Sequence, residues 1–184
     1  MSTVTTPEIV RVGAKLYAEN PEVIDLSAYV PIFHGWIQRR MLDGVPIDVA
    51  DYAHVPDGPG VMLIGHEADR SLDLGEGRPG IVYQRKRDGG GRLEDRVAAA
   101  IEAADRAATE IENDPAADGV RFGRNEILLR INDRLAAPND DATLEALRPA
   151  IEAGLTMVRP GRSATIERAT DDPKGPLSMR VRLS

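Results

Sequence analysis

Hydrophobic and polar positions along this chain change period several times, and each change marks a predicted element. Near the N-terminus, Ile9, Val10, Val12, Leu16 and Tyr17 recur at helical spacing behind Thr6-Pro7-Glu8. That triplet supplies a capping hydroxyl, a proline at the first helical position and an acid at the positive end of the dipole. Asn20-Pro21 closes this predicted helix. Ile32, Phe33, Trp36, Ile37 and Met41 take up the helical period again and predict a short helix over 31–42, ended by Asp43-Gly44.

Strands follow in meander order. Segments 46–55 and 60–73 flank Pro56-Asp57-Gly58-Pro59, a strong turn signal, and 80–87 comes after a second glycine-rich turn. The clearest helix spans 93–113, with Val97, Ile101, Ala104, Ala108 and Ile111 on one face and Glu and Arg on the other; Asp114-Pro115 stops it. The second half is a looser echo of the first, without any repeat of residue identity. A hairpin (119–123 and 126–132) leads to a helix from about Asp140 that carries Leu144, Leu147, Ile151 and Leu155, with Pro149 expected either to bend it or to set its start later. Strands 163–169 and 176–183 close the chain around Asp171-Asp172-Pro173-Lys174-Gly175.

The expected fold is therefore α+β: a mainly antiparallel sheet of six or seven strands, two long helices on one face, and a small N-terminal helical segment. The 184 residues are expected to form one domain, with 1–5 disordered. Antiparallel sheets commonly leave one face for solvent, a ligand or a partner. Only 4% of the residues are aromatic, which makes a homodimer closed over that face an expectation.

Composition narrows the chemistry. There is no cysteine, which removes thiolate metal sites, iron–sulfur clusters, cysteine nucleophiles and disulfides together. The formal net charge is -7, against a general nucleic-acid binder that must neutralise phosphates with Lys and Arg. Met1 to Pro7 lack the basic-then-apolar layout of a signal peptide, and no apolar run has the length of a bilayer span. A soluble, cytoplasmic protein without nucleic-acid or membrane partners and without a cofactor is expected.

Two glycine-rich segments look alike in composition and differ in context. Gly75-Glu76-Gly77-Arg78-Pro79-Gly80 has the spacing G-x-G-x-x-G, but Ile81-Val82-Tyr83 continues it as a strand rather than the helix that a pyrophosphate needs. It reads as a hairpin turn. Arg85-Lys86-Arg87-Asp88-Gly89-Gly90-Gly91-Arg92 does run from strand through loop to helix, where exposed backbone N–H groups bind anions. No Walker lysine and hydroxyl follow, and a flexible surface loop is the commoner role of such a segment. Arg85, Arg87 and Gly90 are the candidate contacts to an anionic ligand.

The three histidines, His34, His54 and His66, fall in one short stretch and raise the question of a metal. A hairpin about Pro56–Pro59 whose partners sum to about 116 sets His66 opposite Ala50 and His54 opposite Met62. The two imidazoles then lie about 13 Å apart along the strands, and a shift of one residue puts them on opposite faces. Neither register lets them share a metal, so none is expected.

The same register offers His66 two diagonal neighbours, Asp48 and Tyr52, and a carboxylate beside an imidazole is the arrangement of general acid–base chemistry. Packing alone also accounts for such a histidine. Asp51 and His54, three apart on a strand, face opposite ways. The pairs Asp140-Asp141 and Asp171-Asp172 suit a helix start and a turn, and no serine stands in a G-x-S-x-G elbow. Two functions are compatible with these patterns. The first is a binding or interaction module with its surface on the open sheet face near His34, His54, His66 and Tyr52. The second is a small metal-independent enzyme using His66 as acid or base, oriented by Asp48, with Arg85 or Arg87 holding an anionic substrate.

Overall fold

The computed structural model describes residues 8–184, so the disorder expected for 1–5 and the helix start at Thr6-Pro7 lie outside the described residues. In chain order the elements are β1 (Val12–Ala18), α1 (Leu26–Arg39), β2 (Pro46–Tyr52), β3 (Gly60–Gly65), β4 (Ala68–Asp73), β5 (Gly80–Arg85), α2 (Leu93–Glu112), β6 (Phe122–Ile131), α3 (Asp141–Val158), β7 (Ala164–Arg168) and β8 (Leu177–Leu183). The class is α+β, with one eight-stranded sheet in the order β2-β3-β4-β5-β1-β6-β8-β7 and every neighbouring pair antiparallel.

The echo between the halves is topological. β1 crosses through α1 to the far edge and returns as the meander β2 to β5 beside itself. β6 crosses through α3 to the opposite edge and returns through β7 and β8. The two founding strands, β1 and β6, pair at the centre. All three helices cross between strands that run parallel to each other, and α2 packs on β1, β5, β6 and α3, while α1 covers β2 and β3 and α3 covers β7. A single hydrophobic cluster runs beneath them.

Five expectations need correction. The N-terminal segment read as a helix is the central strand β1, and the helical segment of this region is α1. Val12-Gly13-Ala14-Lys15-Leu16-Tyr17 also alternates with period two, and all six of these residues are buried. Ladder hydrogen bonds to β5 and β6 on both sides settle the choice, because tertiary context overrides propensity in so short a run. α1 starts five residues earlier than expected, at Leu26, capped by Asp25, whose carboxylate accepts from the Ser27 N–H at 3.0 Å. The expected strand 60–73 is two strands, β3 and β4, joined by a tight turn at His66-Glu67. The expected hairpin over 119–132 is the single strand β6. Finally, the sheet has eight strands rather than six or seven.

α3 keeps Pro149 inside it and is capped by Asp140, whose Oδ1 accepts from the Thr143 N–H at 2.7 Å. Gly154 makes its closest packing possible: a Cβ there would lie 2.6 Å from the Glu94 carbonyl oxygen in the first turn of α2. This contact fixes the start of α2, and with it one wall of the cleft described below. Asp140→Ala leaves one N–H at the helix start without its acceptor and is expected to cost about 1 kcal/mol. Thermal unfolding should then fall by roughly 2–4 °C, and an unchanged midpoint would show that the cap carries no weight.

Candidate functional site

The open sheet face is a field of ion pairs. Lys15 is buried (2% exposed) and its Nζ donates to Asp73 Oδ1 at 2.6 Å and to the Gly75 carbonyl at 2.9 Å. The β4–β5 connection, which includes the Gly75–Gly77 turn, folds over this face. Arg78 stacks on Tyr17 at 3.7 Å and donates to Glu126 at 2.6 Å, while the Tyr17 hydroxyl donates to Glu76 at 3.2 Å. Burial and the Glu76 carboxylate push the Tyr17 hydroxyl up to about 12. The G-x-G-x-x-G segment is thus a hairpin connection pinned by charge.

The histidines do not mark this face. His34 is exposed on α1, and His54 is exposed in the turn between β2 and β3. His66 is exposed in the β3–β4 turn, where its N–H donates to the Val45 carbonyl at 2.8 Å and its carbonyl accepts from Arg87 Nε at 3.0 Å. His54 and His66 therefore stand at opposite ends of β3. The β2–β3 ladder pairs Ala50 with Met62 and Asp48 with Ile64, after a bulge between Pro46 and Asp48, which is a different register from the one expected. Tyr52 pairs with Gly60. The longer turn, 53–59, is the physical reason: Asp51 accepts from the Ala53 N–H at 2.8 Å, and the strand ends at Tyr52 rather than at Val55. Asp48 is turned to its own neighbour, accepting from the Val49 N–H at 2.8 Å, and is not brought opposite His66. Among the described residues no group of three or more His, Asp or Glu is arranged to hold a metal ion.

What the fold does bring together lies on the helix side. Alternation along β4 and β5 turns Ala68, Arg70 and Leu72, and Ile81, Tyr83 and Arg85, toward the helices, with Arg70 directly opposite Tyr83. α2 covers β5 with a run of alanines, and the connection after α1 (Leu42, Asp43, Gly44) stands on the other side. A cleft of about 340 Å³ opens between them, floored by Ala68, Arg70 and Tyr83. A second cavity of about 320 Å³ adjoins it and shares Tyr83, Arg85 and Ala99; its other walls include Val10, Val12, Ala100 and Gly90.

Arg70 is the unusual group. Its residue is only 7% exposed, and among the described residues its guanidinium makes no ion pair and no hydrogen bond; the buried Nε has no acceptor. Its one specific contact is the Tyr83 ring, 5.2 Å from Cζ to the ring centroid, a cation–π arrangement. Burial pushes its pKa down, Tyr83 and Asp43 offset part of this, and Arg106 and Arg85 add to it.

Of the other charges at the rim, Asp43, Glu67, Arg85 and Arg106 are already engaged, while Glu102 is exposed there. Arg106 pairs with Asp43. Glu67 accepts from the Val45 N–H at 3.0 Å, which holds its carboxyl below the usual range. Arg85 donates to the Arg87 carbonyl at 2.8 Å, so its guanidinium lies along the glycine-rich loop.

That loop does run from strand to helix, and Gly90 and Gly91 take positive φ (74° and 82°). Its anion site is filled from within. Asp88 accepts from the Gly90 N–H and from Arg96, both at 2.8 Å, and the Gly90 bond leads the effects that lower its pKa. Of the residues singled out from the sequence, Arg85 lines both cavities and Gly90 the second, whereas Arg87 turns to the His66 carbonyl. Arg70, Tyr83 and Ala99 were not singled out. The available signal was an arginine between Ala68 and Leu72 at an apolar-face position, and it becomes readable only once His66-Glu67 is recognised as a turn.

Compared with protein families, with curated proteins and with solved structures, the chain finds no match.

Proposed function

We propose that this protein is a non-catalytic binding module that takes a small anionic ligand in the helix-side cleft over Arg70. The supporting observation is an arginine whose residue is more than nine-tenths buried, with a fully buried, unpartnered Nε, facing a cleft and without an anionic partner among the described residues. Burying an unpaired charge costs several kcal/mol. A protein that keeps one at the floor of a cavity gains from it when an external anion supplies the missing charge and acceptors. Arginine suits that role, because its planar fork meets a carboxylate or phosphate with two parallel N–H donors. Concave sites with few polar groups among apolar walls are where small ligands bind. The pairing of His66 with Asp48 that acid–base chemistry would require is not assembled, and this weighs for binding over catalysis.

The test follows the Arg70 Nε–H resonance by 15N NMR during titration with sodium acetate and, separately, sodium phosphate, against sodium chloride at matched ionic strength. A saturable shift with at least one of the two, absent from Arg70→Met, is expected. Shifts no larger than those of chloride, for both probes, would overturn the proposal.

A further inference from the structure

The two cavities and the charges around them narrow the ligand further, and this step rests on Arg70 being the anion site. We infer that the ligand is an amphipathic monocarboxylate, its head on Arg70 and its aliphatic chain passing Tyr83 and Ala99 into the second cavity.

Charge sets the head group. Among the described residues Arg70 is the one cation of the cleft with neither an ion pair nor a hydrogen bond, while Asp43, Glu67 and Glu102 stand at the rim with two further arginines, Arg85 and Arg106. Three acids facing three bases leave the empty cleft near neutrality. One negative charge satisfies Arg70, whereas the second charge of a phosphate meets the rim carboxylates at short range in a partly desolvated space.

The second cavity sets the tail. Of its charged members, Arg96 is occupied by Glu8 at 2.5 Å, Asp88 at 2.8 Å and the Ile9 carbonyl at 2.5 Å, Asp95 by the Arg92 N–H at 2.8 Å, and Arg85, where the two cavities meet, donates its Nε–H to the Arg87 carbonyl at 2.8 Å. Beyond the shared Arg85, what remains to a ligand is Val10, Val12, Ala99, Ala100 and Tyr83, a surface that rewards methylenes. Because Tyr83 and Ala99 line both cavities, a chain leaving Arg70 reaches the second without crossing the core. Ala99 is exposed on α2, so its side chain can be enlarged without disturbing the buried face of the helix.

Affinities for acetate, butyrate, hexanoate and octanoate, with phosphate alongside, measured by calorimetry on the wild-type chain and on Ala99→Leu, test this. In the wild type each added methylene that enters the second cavity is expected to tighten binding about fourfold, and phosphate should bind more weakly than butyrate. Ala99→Leu should flatten the series. Intermolecular NOEs from the octanoate terminal methyl to the methyls of Val10 and Val12 are expected in the wild type. Acetate binding with no gain along the series, a gain that persists in Ala99→Leu, or tighter binding of phosphate than of butyrate would overturn the monocarboxylate inference while leaving Arg70 as an anion site. Failure of every carboxylate and of phosphate would remove both.

Discussion

Arg70→Met is expected to unfold at a higher temperature than the wild-type chain in buffer free of carboxylates and phosphate. Removing a charge normally weakens a protein when the charge is paired. Arg70 is 7% exposed and has no carboxylate or carbonyl acceptor among the described residues, so its burial is uncompensated except by the Tyr83 ring. Methionine keeps the unbranched stem and its packing while deleting the buried charge. Replacing buried ionic groups with apolar ones of similar volume commonly stabilises by about 1–4 kcal/mol, and the lost cation–π contact offsets about 1–2 kcal/mol of this at most.

The net gain should appear as a rise of roughly 2–4 °C per kcal/mol in a chain of this size. Ligand then reverses the order. A bound anion at a hundred times its dissociation constant stabilises the wild type by about 2.7 kcal/mol and does nothing for the variant. Arg70→Lys keeps a charge but not the fork, and should lose most of the ligand response without the gain in stability. A destabilised Arg70→Met in anion-free buffer would mean that Arg70 is structurally compensated, and the cleft would lose its claim to an anion.

The parts of the fold that the sequence revealed are those whose local and global signals agree. α2 was readable almost to the residue because its alanine and isoleucine stripe, the glycines before it and Asp114-Pro115 after it all say the same thing. β1 was not, because Val12, Leu16 and Tyr17 satisfy periods of 3.6 and 2 equally over seven residues. The decision lies in pairing with β5 and β6, far away in sequence.

The site was hidden by one turn. Read as a single strand, 60–73 keeps one alternation throughout and sets Arg70 on the same face as Met62, Ile64 and His66. The turn at His66-Glu67 resets the parity, so that Arg70 joins Leu63 and Val61 on the face that meets the helices. The same turn takes His66 out of the ladder, which is why the histidine that looked most chemical is exposed at the end of β3. Arg85 and Gly90 were recoverable because the strand–loop–helix layout is local. The filling of that loop by its own Asp88 was not singled out; the Gly90 N–H bond is local, and the second bond comes from Arg96 in α2.

Lys15 and Asp73 provide the opposite case, and Asp73→Ala should be the most damaging of the substitutions considered. Lys15 lies 2% exposed at the centre of the sheet, with Asp73 Oδ1 at 2.6 Å as its counter-charge and the Gly75 carbonyl as its remaining acceptor. Asp73 also accepts from the Gly75 N–H at 3.1 Å, so it holds the β4–β5 connection in place as well. Deleting the carboxylate leaves a buried ammonium without its charge partner, which costs about 3–5 kcal/mol where one member of a buried pair is removed. The urea midpoint should fall accordingly with little change in slope.

Adding Lys15→Met to that background removes the stranded charge and should recover most of the loss, the non-additive behaviour of residues that act as a pair. If Asp73→Ala instead costs less than about 0.5 kcal/mol, as an exposed pair would, the sheet face is wetter than its burial indicates. Two buried cations in one sheet thus predict opposite signs on neutralisation. Lys15 is held by a charge the chain supplies, and Arg70 is left for a charge that must come from outside.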